Sequence, residues 1–570
     1  MVAETMMPAQ PKHALVLLIG LLGWLSAGSA AAESAAHGMV VTEQRLATEI
    51  GLQILQQGGN AIDAAVAIGY AEAVVHPCCG NLGGGGFMVI HRRGQDRFIN
   101  FRETAPAAAT ARMFLNQAGN RVPDLSIVGY RAVAVPGSVL GLETAHSQYG
   151  RLSRQQVMAP AIKLARDGFV LSAADVVPLQ RPRHLGEDPV TAKVFLRADG
   201  SPLQPGDRLL QPDLARTLTA IAADGPRAFY RGRIPAAVES AAAAHGGIIT
   251  AGDFARYTVT EAKPLRCNYR GYQILSSPPP SSGGVTLCEI LNVLEGYDLR
   301  GMGYHSAAAL HVMAEAMRHA FLDRNTVLGD PAFVHNPLAR LLSKSYAASL
   351  RASIAADRAT PSSRLKAGTA PHEGMQTTHY SVVDDQGNAV AVTTTINTYF
   401  GAQVMAPGTG FLLNNEMDDF TSGPGIPNIF GLVQGEANAI APGKRPLSSM
   451  APTIVTRNGE VVLVLGSPNG PRIISVVLQT IINVIDYGMG LQDAVDAPRI
   501  HQQWLPDQLF AEPGALSAEV RTKLEAEGYT LTETRPFGAA EAIAIKTVGG
   551  HRQLTGAHDA RSPAGAAAGY

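Results

Sequence analysis

The chain has 570 residues, of which 59 are glycine and 36 proline, and 46% of its residues are hydrophobic against 16% charged. This much apolar material and a formal net charge of -1 exclude intrinsic disorder and coiled coil as the main class. The balance of 46 basic and 47 acidic residues leaves no field that would attract nucleic acid or an anionic membrane surface, so a small-molecule partner is expected.

The N-terminus has the pattern of a secretory signal peptide. Lys12 and His13 precede an apolar run over residues 14–25, and small residues that suit a signal peptidase follow, ending at Ala32. A helix of that length rises about 18 Å, which is short of the ~30 Å hydrocarbon layer of a bilayer. We therefore expect residues 1–32 to be removed and the protein to be periplasmic or secreted, with a short uncleaved anchor as the alternative.

Alternating signals for helices, a glycine-rich loop and a strand follow. Apolar residues at helical spacing over 47–73 predict two packed helices, interrupted at 58–60, where a glycine ends the first helix and Asn60 caps the second. The glycine-rich stretch 80–86 leads into a strand over residues 87–91. A phosphate-binding loop would open a helix instead, so nucleotide binding is not predicted here.

The four cysteines are too few to form a disulfide framework in a chain of this length. Cys78 and Cys79 are adjacent in sequence, which disfavours a bridge between them. Cys267 and Cys288 could pair, and the sequence leaves this open. There is no Cys-x-x-Cys motif and no His-Glu-x-x-His helix, so the sequence does not support zinc or thiol redox chemistry.

The middle of the chain is predicted to be helical, with helices over residues 155–166, 212–223, 234–244, 285–294 and 306–323. His305, His311 and His319 lie at the last of these helices. No two of them are four residues apart, as a zinc-binding helix requires, so they are interpreted as packing or surface residues.

The chain becomes strongly β-like beyond a linker. Residues 355–376 carry no apolar periodicity and are predicted to be exposed. Two β-branched runs, 377–383 and 389–396, are joined by an Asp/Gly/Asn turn and predict a hairpin. A later strand over 461–465 ends in a Ser-Pro-Asn-Gly-Pro turn and precedes an apolar helix over 473–487.

The junction between Gln376 and Thr377 is chemically interesting, because an exposed linker there runs directly into a strand. Cleavage of this bond would make Thr377 an N-terminus. The free α-amine of such a residue has a pKa of about 8, so it can accept the proton of its own hydroxyl near neutral pH. The same hydroxyl can attack the preceding carbonyl and cut the chain. Taken alone, however, two threonines at the start of a strand also fit ordinary β-propensity.

Four motifs along the chain carry a family resemblance. They are Asn100-Phe101-Arg102-Glu103, Thr377-Thr378-His379-Tyr380-Ser381-Val382, Asn414-Asn415-Glu416-Met417-Asp418-Asp419-Phe420 and Lys444-Arg445-Pro446-Leu447-Ser448-Ser449-Met450. In this order they resemble the γ-glutamyltransferase (γ-glutamyltranspeptidase) family, and the resemblance covers nearly the whole chain from residue 38 onwards.

The resemblance implies an α+β fold, the four-layer αββα sandwich of N-terminal-nucleophile hydrolases with two stacked antiparallel sheets. It also implies a precursor that cuts itself at Gln376-Thr377. The products would be a large subunit, residues 33–376, and a small catalytic subunit, residues 377–570. The two would stay together as a heterodimer, because strands after the cut must pair with structure before it.

By the same resemblance, Thr377 would be the nucleophile and Thr395, on the paired strand, would hydrogen-bond to it. Asn397 would contact the glutamyl α-amino and carboxylate region. The backbone N–H groups of Asn469 and Gly470 would stabilise the oxyanion, a contribution of roughly 3 kcal/mol per donor. The family has two glycines after Ser-Pro, whereas this chain has asparagine first. Asparagine tolerates left-handed backbone angles, so the oxyanion hole can survive.

A γ-glutamyl group carries a free α-carboxylate and a free α-ammonium, so its site needs a fixed cation and at least one anion. Arg102 suits the carboxylate, with Ser448 and Ser449 as further donors. Glu416 and Asp419 suit the ammonium. Without the resemblance these charges would be interpreted as solvated surface groups.

A mobile lid is predicted over residues 421–431, where glycine and proline punctuate the chain. Phe430 stands in this lid at a position where some bacterial members of the family carry tyrosine. Any closure that depends on a tyrosine hydroxyl is therefore expected to be lost.

Together these residues predict a self-processing γ-glutamyltransferase and glutathione hydrolase with no metal or organic cofactor. Thr377 would take the γ-glutamyl group from glutathione or a related compound as an ester and pass it to water or to an amino acid or dipeptide acceptor. One alternative is a glutaryl or cephalosporin-type acylase of the same superfamily, whose substrate lacks the ammonium that Glu416 and Asp419 would bind. The other is a non-catalytic periplasmic binding relative, which would stay uncut.

Overall fold

The computed structural model describes residues 32–92, 94–362, 377–423 and 425–570. Most of the predicted signal peptide, the later part of the predicted linker and the Gln376 side of the predicted cleavage bond lie outside the described residues. Within those ranges, every helix is too short or too polar to span a lipid bilayer.

Helices lie mainly before the linker. They are α1 (Arg45–Gln56), α2 (Ala61–Val75), α3 (Ser138–Tyr149), α4 (Arg154–Asp167), α5 (Ala173–Leu179), α6 (Pro189–Phe195), α7 (Pro212–Asp224), α8 (Arg227–Tyr230), α9 (Arg233–Ala244), α10 (Ala251–Arg256), α11 (Gly283–Leu294), α12 (Leu299–Met302), α13 (Ala307–Val327), α14 (Leu338–Leu341), α15 (Lys344–Ser353), α16 (Arg472–Ile485), α17 (Leu491–Asp496) and α18 (Ala518–Ala526). Short 3₁₀ helices occupy Tyr130–Ala132, Glu416–Asp419 and Glu436–Asn438.

Strands come from both sides of the linker. They are β1 (Glu33–Ala35), β2 (Met39–Thr42), β3 (Gly85–Arg92), β4 (Gln95–Asn100), β5 (Phe169–Val170), β6 (Arg208–Leu209), β7 (Thr260–Ala262), β8 (Leu265–Tyr269), β9 (Tyr272–Ser276), β10 (Thr377–Val383), β11 (Ala389–Thr395), β12 (Thr453–Arg457), β13 (Glu460–Gly466), β14 (Ile500–His501), β15 (Leu509–Ala511), β16 (Leu531–Glu533), β17 (Glu541–Val548), β18 (His551–Ala557) and β19 (Ala566–Gly569).

Two seven-stranded antiparallel sheets organise the molecule. The first has the strand order β1-β18-β17-β13-β12-β9-β8, and the second has the order β19-β2-β10-β11-β3-β4-β7. β10 pairs with β2, and β11 pairs with β3, so strands after the linker are hydrogen-bonded to strands before it. A cut at residue 376 would therefore leave the two parts joined through the sheet.

Apolar side chains of the two sheets meet in a shared core, for example Val41 and Phe87 of the second sheet and Ile454 and Ile543 of the first. On the far side of the first sheet, α11 and α16 pack against its strands, and α13 packs against α11. On the far side of the second sheet, the alanine-rich α2 packs against β10 and β11. The layers are therefore helix, sheet, sheet, helix, which confirms the predicted αββα sandwich.

The predicted elements are confirmed, with shifts of a few residues at their ends. Gly58 follows the first helix at a φ of +88°, and the Asn60 side chain accepts the N–H groups of Ile62 and Asp63 to cap the second. Nε2 of His311 donates a hydrogen bond to the carbonyl oxygen of Ala355 at 2.7 Å, so this histidine has a partner within the protein.

Both cysteine pairs are disulfide-bonded. Cys267 and Cys288 join β8 to α11, with their Cα atoms 6.0 Å apart. Cys78 is bonded to Cys79, so the expectation that the adjacent pair would not bridge is wrong. The chain turns tightly here, because the N–H of Cys79 donates to the carbonyl of His76 at 3.1 Å. The turn brings together two side chains that an extended backbone would point apart.

Candidate active site

Thr377 begins β10 and lies directly opposite Thr395, the last residue of β11. Their hydroxyl oxygens are 3.3 Å apart, and both residues are buried. The hydroxyl of Thr395 also accepts the N–H of Asn397 at 2.9 Å. The antiparallel ladder thus holds the two hydroxyls together at one end of the hairpin.

The side chain of Thr377 shares a face of β10 with His379 and Ser381, because side chains alternate along a strand. Ser381 donates to the carbonyl of Glu541 on the first sheet at 2.9 Å, and the His379 ring packs against Gly466 at the end of β13. Thr377 therefore faces the first sheet and the loop that follows Gly466.

That loop carries the two predicted oxyanion residues. Asn469 has a φ of +101° and Gly470 a φ of +52°, a backbone region that asparagine and glycine tolerate better than other residues. α16 begins at Arg472, so the loop leads into the N-terminus of a fourteen-residue helix, where the partial positive charge favours an anion. Gly470 lines the cavity beside Thr377, whereas Asn469 is buried next to it and does not line that cavity.

The guanidinium group of Arg102 is paired with Glu416 and Asp419, the two acids that were predicted to bind the substrate ammonium. One terminal nitrogen donates to Glu416 and the other to Asp419. The Nε of Arg102 donates to the carbonyl of Pro446 at 3.2 Å. The carboxylate of Glu103 lies 3.5 Å from the terminal nitrogen that donates to Glu416. The structure therefore brings the predicted cation and anions together, but as one buried ion cluster and not as separate groups that await a ligand.

Burial shapes the charges of this cluster. Burial of Arg102 acts to lower its pKa, but the charges of Glu416 and Asp419 outweigh this effect and raise the pKa above its ordinary value. Burial raises the pKa of Glu103 to about 7 and also raises the pKa of Glu416, and Arg102 opposes both shifts. A cation that enters the site would favour the ionised acids, so the cluster is suited to an ammonium group.

The loops that carry these acids are fixed by asparagine side chains. Asn414 donates to the carbonyl groups of Gly83 and Ala134 and accepts the N–H of Ala134 at 3.0 Å. Asn397 adopts a φ of +74° and donates to the carbonyl of Asn415 at 3.1 Å. The 3₁₀ helix of Glu416 and Asp419 is thereby tied to the end of β11.

The two predicted serines, Ser448 and Ser449, line the same cavity as Thr377 and Arg102. Ser448 accepts the N–H of Met450 at 3.1 Å, and Ser449 accepts a hydrogen bond from Arg324 at 2.9 Å. Sequence reasoning missed Arg324. It lies in the last turns of α13, and no local motif distinguishes it from other helical arginines.

The segment after Asp419 covers this site. Asp418 accepts the N–H of Ile429 at 2.9 Å and is paired with Arg121, which itself donates to the carbonyl of Pro427 at 3.1 Å. The Phe430 ring stands against Gly470. Phe430 therefore covers the predicted oxyanion loop by ring contact.

One cavity of about 320 Å³ joins these groups. Its walls include nine of the ten predicted site residues, all except Asn469: Arg102, Thr377, Thr395, Asn397, Glu416, Asp419, Ser448, Ser449 and Gly470. A second cavity of about 830 Å³ also reaches Thr377, and its walls include Glu43, Cys78, Cys79 and Arg181. Thr377 therefore stands where two cavities meet.

Comparisons with known proteins agree with this architecture. The family described as Gamma-glutamyltranspeptidase matches residues 47–569. The chain is 52% identical over 553 residues to a glutathione hydrolase proenzyme of Pseudomonas sp. (strain A14), with 95% of this chain and 96% of the relative covered. It is 47% identical over 544 residues to the glutathione hydrolase proenzyme of Escherichia coli (strain K12), with 94% and 92% covered.

Among solved structures, the chain is similar to a cephalosporin acylase from Bacillus halodurans, with a TM-score of 0.83 and 26% identity over 97% of this chain and 99% of that one. The αββα sandwich of two stacked antiparallel sheets is the fold of the N-terminal-nucleophile hydrolases. Since the family match spans most of its length, the chain belongs to the γ-glutamyltranspeptidase family.

Proposed function

We propose that this protein is a γ-glutamyltransferase and glutathione hydrolase whose nucleophile is Thr377, freed by cleavage of the Gln376-Thr377 bond. The observation that carries the proposal is the cavity in which the paired hydroxyls of Thr377 and Thr395 share walls with a buried cluster of both charges. A γ-glutamyl group has the matching chemistry, a scissile γ-amide at one end and an α-ammonium and α-carboxylate at the other.

Processing uses the same hydroxyl as turnover. The Thr377 oxygen attacks the carbonyl carbon of Gln376, the peptide nitrogen leaves with a proton, and water hydrolyses the resulting ester. The new α-amine of Thr377 then serves as the base for its own hydroxyl. The relatives that are named proenzymes support a processed chain of this kind.

In turnover, Thr377 attacks the γ-carbonyl of the substrate, and the oxyanion accepts hydrogen bonds from the backbone N–H groups of Asn469 and Gly470. The leaving amine takes the proton held by the Thr377 α-amine, and a γ-glutamyl ester remains. Water converts the ester to glutamate, and an amino acid or dipeptide amine converts it to a new γ-glutamyl compound. Each route returns the proton to the Thr377 hydroxyl.

The second cavity suits the leaving and acceptor amines. It reaches Thr377 independently of the cavity that holds the charged cluster, and Cys78, Cys79 and Arg181 are among its walls. A γ-glutamyl peptide with its glutamyl part in the first cavity would extend its remainder into this one. The exported location proposed from the N-terminal pattern fits a supply of such peptides outside the cytoplasm.

The acylase alternative is weaker. A glutaryl amide has the carboxylate but no ammonium, and would leave the buried Glu416 and the partly buried Asp419 without the second cation that a γ-glutamyl group supplies. A buried carboxylate whose charge is not fully balanced by cations costs free energy. Since only the γ-glutamyl group brings an ammonium to these acids, γ-glutamyl amides should react faster than glutaryl amides.

Two measurements test the proposal. The intact mass and N-terminal sequences of the purified protein should give two chains, one of which starts at Thr377. The kcat/KM for a γ-glutamyl anilide should then exceed that for a glutaryl anilide. A single uncut chain that binds a γ-glutamyl ligand without turnover would favour the binding relative, and faster glutaryl turnover would favour the acylase.

A further inference from the structure

The disulfide between Cys78 and Cys79 lies in the wall of the cavity of about 830 Å³ that also reaches Thr377. The two cysteines are otherwise covered by the fold, with 1% and 3% of their surfaces exposed. A small molecule in the cavity can therefore approach this bond, whereas the surface of another protein cannot. No Cys-x-x-Cys motif marks the place in the sequence, because the pair exists only where the turn closes two adjacent residues.

The second disulfide has a different setting. It joins β8 to α11, and Cys267 and Cys288 pack there among apolar side chains that include Leu265, Val285 and Leu447. A polar reactant gains nothing by entering such a cluster. The chain thus carries its own comparison, with one bridge in a cavity beside the proposed nucleophile and the other in an apolar core.

The groups around the first bridge suit an exchange with a thiol. A ring nitrogen of His76 and the two Sγ atoms lie within 4.8 Å of one another, and Nδ1 of this histidine lies 3.0 Å from a carboxylate oxygen of Glu72. Arg181 lines the same cavity and brings a positive charge. Burial raises the pKa of Glu43, another lining residue, which reduces the negative charge of that wall. Such surroundings favour a thiolate, the form that attacks a disulfide.

Transfer of the γ-glutamyl group out of glutathione would release such a thiol, cysteinylglycine, into this cavity. We propose that the Cys78–Cys79 bridge is a reversible modification site for small thiols and that the cysteinyl thiol released from glutathione is its ligand, an inference that rests on the proposed function. The ligand must carry a free thiol and must be small enough to enter the cavity.

The exchange needs no oxidant or reductant other than the thiol. The ligand thiol gives its proton to His76, and its sulfur attacks one Sγ and forms a new S–S bond. The Cys78–Cys79 bond breaks, and its electron pair leaves on the other Sγ, which takes the proton back. A second ligand thiol can attack the mixed disulfide, which leaves two cysteine thiols in the protein and the disulfide of the ligand in solution.

An opened bridge changes the surroundings of Thr377. A ligand held on either sulfur occupies space into which a leaving group would extend. The turn is also tied to the loop after β11, because the N–H of Phe400 donates to the carbonyl of Cys78 at 3.0 Å. The released thiol should therefore slow further turnover. Since the two cysteines are neighbours in the chain, the freed thiol stays beside the mixed disulfide and can close the bridge again.

Trapping on the purified wild-type protein tests the site directly. The protein is incubated with cysteinylglycine, alkylated with iodoacetamide and digested, and its peptides are analysed by mass. Alkylated cysteine, with or without one bound ligand, should appear at residues 78 and 79 at least about tenfold faster than at Cys267 and Cys288. S-methylcysteinylglycine, which lacks the thiol, should open neither bridge. Equal opening of the two bridges, or none at residues 78 and 79, would overturn the assignment.

Activity measures the consequence for the active site. After thiol treatment, alkylation and removal of both reagents, kcat/KM for a γ-glutamyl anilide should be about tenfold lower than in protein alkylated without the thiol. The double variant Cys78→Ser/Cys79→Ser should show no difference between the two treatments, and Cys267→Ser/Cys288→Ser should respond like the wild type. A loss of the same size in the first variant would place the effect elsewhere and overturn the proposal. A wild-type protein without turnover would refute the proposed function, and trapping would still decide on the thiol site.

Discussion

Thr377 and Thr395 face each other across β10 and β11 with their hydroxyl oxygens 3.3 Å apart. The ladder fixes this pair from one side, because all seven residues of β10 are paired with β11. On the other side of Thr377 lies the bond whose cleavage we propose. A nucleophile at the first residue of this strand would be held in place both before and after the proposed release of its α-amine.

Replacing Thr377 by alanine should give an uncut chain with no measurable turnover, a loss of roughly 10⁴-fold or more, because the attacking oxygen is gone. Thr378→Ala is the matched control, since it removes the neighbouring hydroxyl from the opposite face of the strand. We expect that control to be cut and active. Intact mass and an anilide assay measure both outcomes, and normal processing of the Thr377 variant would exclude this residue as the nucleophile.

Replacing Thr395 by valine keeps the shape of the side chain and removes its hydroxyl. The variant loses the contact with Thr377 and the acceptor for the N–H of Asn397 at 2.9 Å. We expect processing and turnover to slow by about tenfold, and Thr395→Ser to recover most of the rate. Time courses of cleavage followed by mass give the comparison. Equal rates in all three proteins would show that the hydroxyl pair has no part in catalysis.

Replacing Asn469 by glycine should stabilise the protein by about 1 kcal/mol, because a φ of +101° strains any residue with a side chain. The proposed oxyanion donors are backbone groups, so kcat should stay within about threefold. Asn458→Gly is the control: this residue also has a positive φ, +53°, but lies in the turn between β12 and β13. A tenfold loss of kcat in Asn469→Gly alone would mean that the asparagine side chain takes part in the reaction.

Acid should destabilise the protein through its buried histidines. Burial and nearby Arg472 lower the pKa of His501 to about 3, and burial lowers that of His379 to about 3 as well. Both are neutral in the folded protein and protonate near 6.5 once unfolded. Their contribution to stability is therefore present above pH 6.5 and is lost as the pH falls from 6.5 toward 3, by about 1.4 kcal/mol per pH unit for each.

Denaturant unfolding at pH 7.5 and pH 4.5 measures this effect. In His501→Gln the difference between the two pH values should be about 2 to 3 kcal/mol smaller than in the wild type, because one such group is removed. His551→Gln, which changes an exposed residue at the start of β18, should keep the wild-type difference. The same pH difference in His501→Gln and the wild type would contradict a buried neutral His501.

Much of the local structure could be predicted from the sequence. Side-chain periodicity and turn residues that lie close together in sequence predict the hairpin of β10 and β11. The same kinds of local signal predict the helix pair α1 and α2 and the cap at Asn60. The family resemblance also named nine residues that line one cavity. The bond between Cys78 and Cys79 was missed, because it depends on how the turn at residues 76–80 bends.

By itself, the sequence determined the order of helices and strands, the place where the chain changes from linker to strand, and the residue types of a γ-glutamyl site. Such features are local, since they depend on side-chain period, turn chemistry and motif. Only the tertiary structure decided that Arg102 is held by Glu416 and Asp419 and that Arg324 joins the cavity from α13. Ion pairs between residues more than 300 positions apart depend on how the layers pack, which no local pattern in the sequence records.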